Sequence, residues 1–170
     1  MNGKYLIVSL LGFWFTFSAG LARAETTITP QERVRNIYSA YKVDKTIQEV
    51  LDLVGSEDAL VKALIAERSD TATPFVAIRS EQALLDFASR VDVLAILKAD
   101  LLSPDTPGFA KTIASNLEHV ADQAARRELA ALSLKRAATD ASFVPFARML
   151  TFSSDPELQK LGAELPQVVQ

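Results

Sequence analysis

The sequence predicts an all-α protein, and three observations carry that prediction. Apolar residues recur at three- and four-residue steps through most of the chain, the spacing that lines one face of a helix. Four of the seven prolines directly follow a threonine or aspartate able to cap a helix, at Thr29-Pro30, Thr73-Pro74, Thr106-Pro107 and Asp155-Pro156. No window alternates apolar and polar residues for long enough to propose a strand. The expected architecture is an irregular multi-helix bundle or a short helical solenoid.

Thr29-Pro30-Gln31-Glu32 joins a capping box to a proline at the first helical position, and Val34, Ile37, Tyr38 and Tyr41 follow as one stripe. The jump from Tyr41 to Ile47 does not fit one face. A break is expected at residues 42–44, with Asp44 capping a second helix (Ile47, Val50, Leu51, Val54) that stops at Gly55. Ser56 caps the next, with Glu57 and Asp58 in its first turn and Leu60, Val61, Leu64 and Ile65 inside. Residues 68–73 read as a polar loop, and Thr73-Pro74 opens a short apolar piece. Ser80 is expected to cap a helix with Leu84, Phe87 and Ala88 inward, and Asp92 to start another. Residues 93–102 are apolar on more than one face, which places them centrally. Beyond the turn at Ser103-Pro104-Asp105, Phe109, Ile113, Leu117 and Val120 form a stripe, which shifts after Asp122 to Ala125, Leu129 and Leu132. Ser142 is the expected cap ahead of Pro145, with Phe146, Met149 and Leu150 inward. Asp155-Pro156 starts the last helix, with Leu158, Leu161 and Leu165 inside and Pro166 at its end.

The first 24 residues read differently. Lys4 precedes an uncharged run over residues 5–17, and small residues lead to Ala22-Arg23-Ala24. That is the three-part pattern of a secretory signal peptide, cleaved after Ala24, leaving residues 25–170 as one domain. The competing reading, an uncleaved anchor, needs roughly 20 apolar residues, which the run approaches only if Ser18, Ala19 and Gly20 are counted in. No cysteine stands at the cleavage point to carry a lipid. Removing Lys4 and Arg23 leaves 16 basic and 21 acidic residues, a net charge of −5. Nucleic acid and anionic lipid both require a positive footprint, so neither is an expected partner. The chain has no cysteine at all, which excludes disulfides, thiol chemistry and thiolate metal sites. Asn36 and Asn116 lack the glycosylation motif, and the periplasm is the expected compartment.

Catalytic signals are absent from the sequence. His119 is the one histidine; Glu118 beside it and Asp122 one turn on are a thin basis for a metal. No nucleophile elbow accompanies it, and Gly55, Gly108 and Gly162 are too scattered to cradle a phosphate. Carboxylate pairs such as Asp44 with Glu49, or Asp86 with Asp92, act as acid and base only if the fold gathers them in a cleft. Tyr38, Tyr41, Phe143, Phe146 and Phe152 read as core. Arg126, Arg127, Lys135 and Arg136 make a modest basic cluster on one helix, the candidate partner contact.

Leu129-Ala130-Ala131 recurs at Leu161-Gly162-Ala163, 32 positions later, while Leu97-Lys98-Ala99 fits poorly one step back. With its Asp-Pro between helices, its small residues and the proline opening a second helix, the stretch 122–165 resembles a HEAT-like helical repeat. Such repeats stack helix pairs and grip partners, so the resemblance implies binding rather than catalysis. The expected function is therefore non-enzymatic and cofactor-free: an exported adaptor or immunity-type inhibitor engaging another envelope or secreted protein. The alternative is a carrier of a small apolar ligand or lipid, its cavity lined by residues 93–102.

Trp14 is the only tryptophan and lies inside the expected signal. Protein recovered from the periplasm should begin at Glu25 by mass spectrometry and fluoresce from tyrosine alone. Tryptophan emission from an intact chain would establish the anchor instead.

Overall fold

Residues 28–40 and 42–163 are described by the computed structural model of the chain. The expected signal segment with its Ala24 boundary, Tyr41, Leu165 and Pro166 fall outside them. Among the described residues the structure is all-α: nine α-helices joined by short loops and 3-10 turns, with no strand.

Caps set most of the helix starts. At α1 (Pro30–Tyr38) the Thr29 hydroxyl accepts from the Glu32 N–H at 3.2 Å, and the Glu32 carboxylate accepts from the Thr29 N–H at 2.8 Å. α2 (Ile47–Val54) has the same reciprocal box between Thr46 and Glu49, at 3.3 and 2.7 Å. The expected cap, Asp44, stands two residues too early; Thr46 wins because a glutamate lies one turn beyond it. In both boxes the N–H of the cap residue holds the glutamate below the usual carboxylate range. Gly55 then ends α2 in the left-handed region, φ 100°, as expected of a terminating glycine. Ser56 caps α3 (Glu57–Arg68), its hydroxyl accepting from the Ala59 N–H at 3.2 Å.

Two starts differ from expectation. α4 (Pro74–Leu84) runs unbroken through Ser80, which is buried in the helix interior rather than capping it. The Thr73-Pro74 start is sufficient, and nothing between residues 75 and 84 interrupts it. A 3-10 turn, Leu85–Phe87, leads to α5 (Val91–Leu102), where Arg90 rather than Asp92 holds the cap position. α6 (Pro107–Ser115) and the 3-10 turn Leu117–His119 follow. Asp122 caps α7 (Gln123–Ala137), accepting from the Ala125 N–H at 2.7 Å. Asp140, not Ser142, caps the next 3-10 turn, Ala141–Phe143, because its carboxylate takes both the Ser142 N–H and hydroxyl, at 3.0 and 2.7 Å. α8 (Val144–Ala147) carries Pro145 in its first turn. The 3-10 turn Arg148–Phe152 precedes α9 (Pro156–Ala163), which Asp155 opens by accepting from the Glu157 N–H at 2.9 Å.

The helices stack in two rows. α5 packs on α7 and α7 on α9, while α4 packs on α1 and α6, and α6 on α8. Across the rows α3 meets α1 and α4, α5 meets α6, and α7 meets both α6 and α8; α2 bridges α1 and α3. The starts of α3, α5, α7 and α9, at 57, 91, 123 and 156, lie 34, 32 and 33 residues apart. Leu64, Leu97 and Leu129 occupy matching places with no exposure, and Leu161 packs against the same core. Leu97-Lys98-Ala99, where the repeated text weakens, thus keeps the register in space. Polar ties run at the same interval: Arg35 to Glu67 spans 32 residues, Gln82 to Asn116 34, and Ser154 to Glu118 36.

The core departs from the expected one at three points. Val93, Leu97 and Leu101 are buried, but Leu102 is 55% exposed, so α5 buries one face rather than several. Met149 and Phe152, expected inside, are 48% and 86% exposed, because the 3-10 geometry of residues 148–152 turns only Leu150 inward. No helix among the described residues is long and apolar enough to cross a membrane.

Gly162 marks the tightest seam, where α9 lies on the preceding 3-10 turn. A Cβ there would stand 2.6 Å from the Thr151 nitrogen and 2.9 Å from the Leu150 carbonyl carbon. Alanine gains about 1 kcal/mol in helix propensity, while forcing apart packed backbone costs about 1–3 kcal/mol. Gly162→Val, with more to fit in, should lower the urea midpoint further than Gly162→Ala. A midpoint that rises in both variants would refute the close approach.

Candidate functional site

The site begins with charges placed on apolar stripes. Ala77, Glu81, Leu84 and Ala88 share one inward face, and Asp100 follows Val93 and Leu97 on another. Arg68 closes α3 one turn after Leu64. It was expected to begin a solvated loop; instead its side chain turns inward and is 16% exposed. Its Nε meets the Glu81 carboxylate at 2.6 Å, and its other edge pairs with Asp100. Both acids are buried. The guanidinium lies over the Phe109 ring, 4.8 Å from the centroid. One cation therefore joins α3, α4, α5 and α6.

A similar cluster lies 33 residues earlier in the chain. Arg35 makes two bonds to the buried Glu67 carboxylate, both 2.9 Å, and a third to Asp70 at 2.7 Å. Gln31 adds a fourth, to Glu67 at 2.8 Å. Each of these arginines serves two carboxylates, so each cluster carries excess negative charge when all are ionised. The second cluster is the more buried. Burial, and then the Asp100 charge, pushes the Glu81 carboxyl up to about 7, against the pull of Arg68. Its second oxygen is buried without a hydrogen-bond partner among the described residues.

Above this cluster lies a groove of about 470 Å³. Thr73-Pro74 and Thr106-Pro107 start α4 and α6 beside one another, and the groove runs between those starts. Neither threonine caps its helix: the Thr106 hydroxyl donates instead to the Asp100 carbonyl at 3.3 Å. Pro74, Ile78, Pro107 and Phe109 form the apolar wall, and Arg68, Asp70, Thr71 and Asp105 supply the polar part. Asp105 is exposed and makes no ion pair among the described residues, whereas Asp70 is held by Arg35.

The four basic residues expected to form a contact differ in their surroundings. Arg126 pairs with Asp155 at 3.3 Å, and Arg127 pairs with Glu157. Lys135 is exposed. Arg136 points inward at 9% side-chain exposure, donating to the Leu101 and Ser103 carbonyls at 2.9 and 2.8 Å and lying over Phe143. It caps the end of α5, where a cation answers the helix dipole. Tyr38 and Phe143 are core, as expected. His119 and Asp86 line a second concavity of about 420 Å³ with Lys42, Lys45 and Arg79. Glu118 accepts from the Ser154 N–H, and Asp122 is a cap, so neither joins His119. No group of three or more metal-ligating side chains occurs among the described residues. Glu49 is spent on its capping box, and Asp92 on Arg90 at 3.0 Å.

Arg68, Glu81, Asp100 and Phe109 were not singled out in the sequence. The available signal was the interruption of apolar stripes by charge, at Glu67, Glu81 and Asp100. No protein-family model, curated protein or solved structure matches the chain.

Between pH about 4.5 and about 7 the native protein keeps a Glu81 proton that the unfolded chain has released. The Glu81 contribution to the unfolding free energy should be greatest below that window, fall as pH rises through it and level off above it. Asp86, also raised by burial, contributes with the same sign, so the readout is the difference from Glu81→Gln, which should flatten the decline. Arg68→Met should cost about 3–5 kcal/mol by leaving two buried acids without their cation. Parallel pH profiles for the wild type and Glu81→Gln would refute this account.

Proposed function

We propose that this chain is an exported, non-enzymatic binding protein that engages another envelope or secreted protein, as an adaptor or an immunity-type inhibitor, with the periplasm as its compartment. Export rests on the tripartite pattern of residues 1–24, and contact is assigned to the groove between the starts of α4 and α6. The observation that carries the reading is that groove: it crosses two successive repeats, and its floor is fixed by the Arg68 cluster. A partner laid across it touches both repeats without requiring any helix to move. The groove's arginine is committed to two carboxylates and an aromatic face, an arrangement suited to rigidity rather than to turnover.

A carrier of a small apolar ligand is the second reading. It is favoured by the groove's volume and mainly apolar wall, which fall in the range of small-molecule sites. The lining differs from the one expected in the sequence, since residues 93–102 contribute none of it.

Affinity capture from a mildly crosslinked envelope extract separates the two. Thr71 is exposed and lines the groove, so Thr71→Trp serves as a plug. One protein recovered near stoichiometry with the wild type, and lost with Thr71→Trp, would support the binding reading. Recovered lipid without protein would replace it with the carrier, and neither would overturn both.

A further inference from the structure

The groove's charge identifies what suits it. Five carboxyl groups surround it or stand behind it: Glu67, Asp70, Asp100 and Asp105, and Glu81, which takes up its charge only around pH 7. Among the described residues only two guanidinium groups, Arg35 and Arg68, answer them. Arg136, the next cation inward, donates to main-chain carbonyls and faces Asp140 at 3.7 Å, so it adds nothing to the balance. The starts of α4 and α6 each contribute roughly half a positive charge from the helix dipole. That offsets part of the imbalance and leaves the carboxylates in excess. An anionic ligand would meet Asp70 and Asp105 and find Arg68 already saturated. A cation meets an uncommitted carboxylate at Asp105 and apolar surface immediately beside it.

We propose that the groove takes a basic, amphipathic segment of a partner polypeptide, its lysine or arginine head set by Asp105 and Asp70 and its apolar side chains against Pro74, Ile78, Pro107 and Phe109. This rests on the binding reading above and adds the partner's chemistry. The aliphatic stem of a basic side chain suits the wall as well as its head suits the carboxylates. Complementary charge of this kind steers encounter and excludes acidic competitors.

The probe is a fluorescein-labelled decapeptide of alternating arginine and leucine, compared with its glutamate-leucine counterpart and titrated against the full chain at pH 7.5 by fluorescence anisotropy. The arginine peptide should bind about tenfold or more tighter than the glutamate peptide, and less tightly in high salt. Asp105→Lys and Thr71→Lys, both at exposed groove positions, should each weaken it about tenfold. Asp44→Lys, exposed on the α1–α2 connection and equal to Asp105→Lys in charge change, should leave binding within about twofold. The inference is overturned if neither peptide binds below about 1 mM, if both bind alike, or if Asp44→Lys weakens binding as much as Asp105→Lys. The last result would mean unspecific attraction to an acidic protein. A cellular partner still captured by Asp105→Lys and Thr71→Lys would sink this inference and leave the binding reading intact.

Discussion

Arg68 is the side chain on which the middle of the molecule depends. Two acids buried on α4 and α5 are tolerable only because one guanidinium reaches both, and Phe109 covers its face. Burying charge is costly even when it is paired, and an apolar trio of equal volume would give comparable stability. What the ion cluster adds is geometry. A guanidinium has fixed donor directions, so it accepts Glu81 and Asp100 in only one relative placement of α3, α4 and α5. The loop over residues 69–73 and the start of α4 are then positioned by the end of α3, and the groove follows from that placement. Arg35 ties α1 to the end of α3 in a similar way, through Glu67 and Asp70.

Much of the fold was legible because short-range rules decide it. The Thr29 box, the Ser56 cap, the Gly55 stop and the starts at Pro74, Pro107 and Pro156 are each written within four or five residues. The errors at Asp44 and Ser142 arose where two capping residues lay two positions apart and hydrogen-bond geometry chose between them, and the one at Ser80 arose because nothing interrupts the helix begun at Pro74. The surroundings of Arg126, Arg127, Lys135 and Arg136 were hidden for another reason. Adjacency in sequence says nothing about which donors find carbonyls or carboxylates, and three of the four do. The groove was not legible as such, since its walls come from two turns 33 residues apart. Charges interrupting an apolar stripe were visible; their common cation was not.

The stacking register also bears on how the chain reaches this structure. Ties between neighbouring helices close loops of similar size, 32 residues from Arg35 to Glu67, 32 from Arg68 to Asp100 and 34 from Gln123 to Glu157. Loop-closure entropy grows only with the logarithm of length, so each docking step costs nearly the same. None of these ties joins one end of the chain to the other. Loop closure therefore favours none of these docking steps over the others.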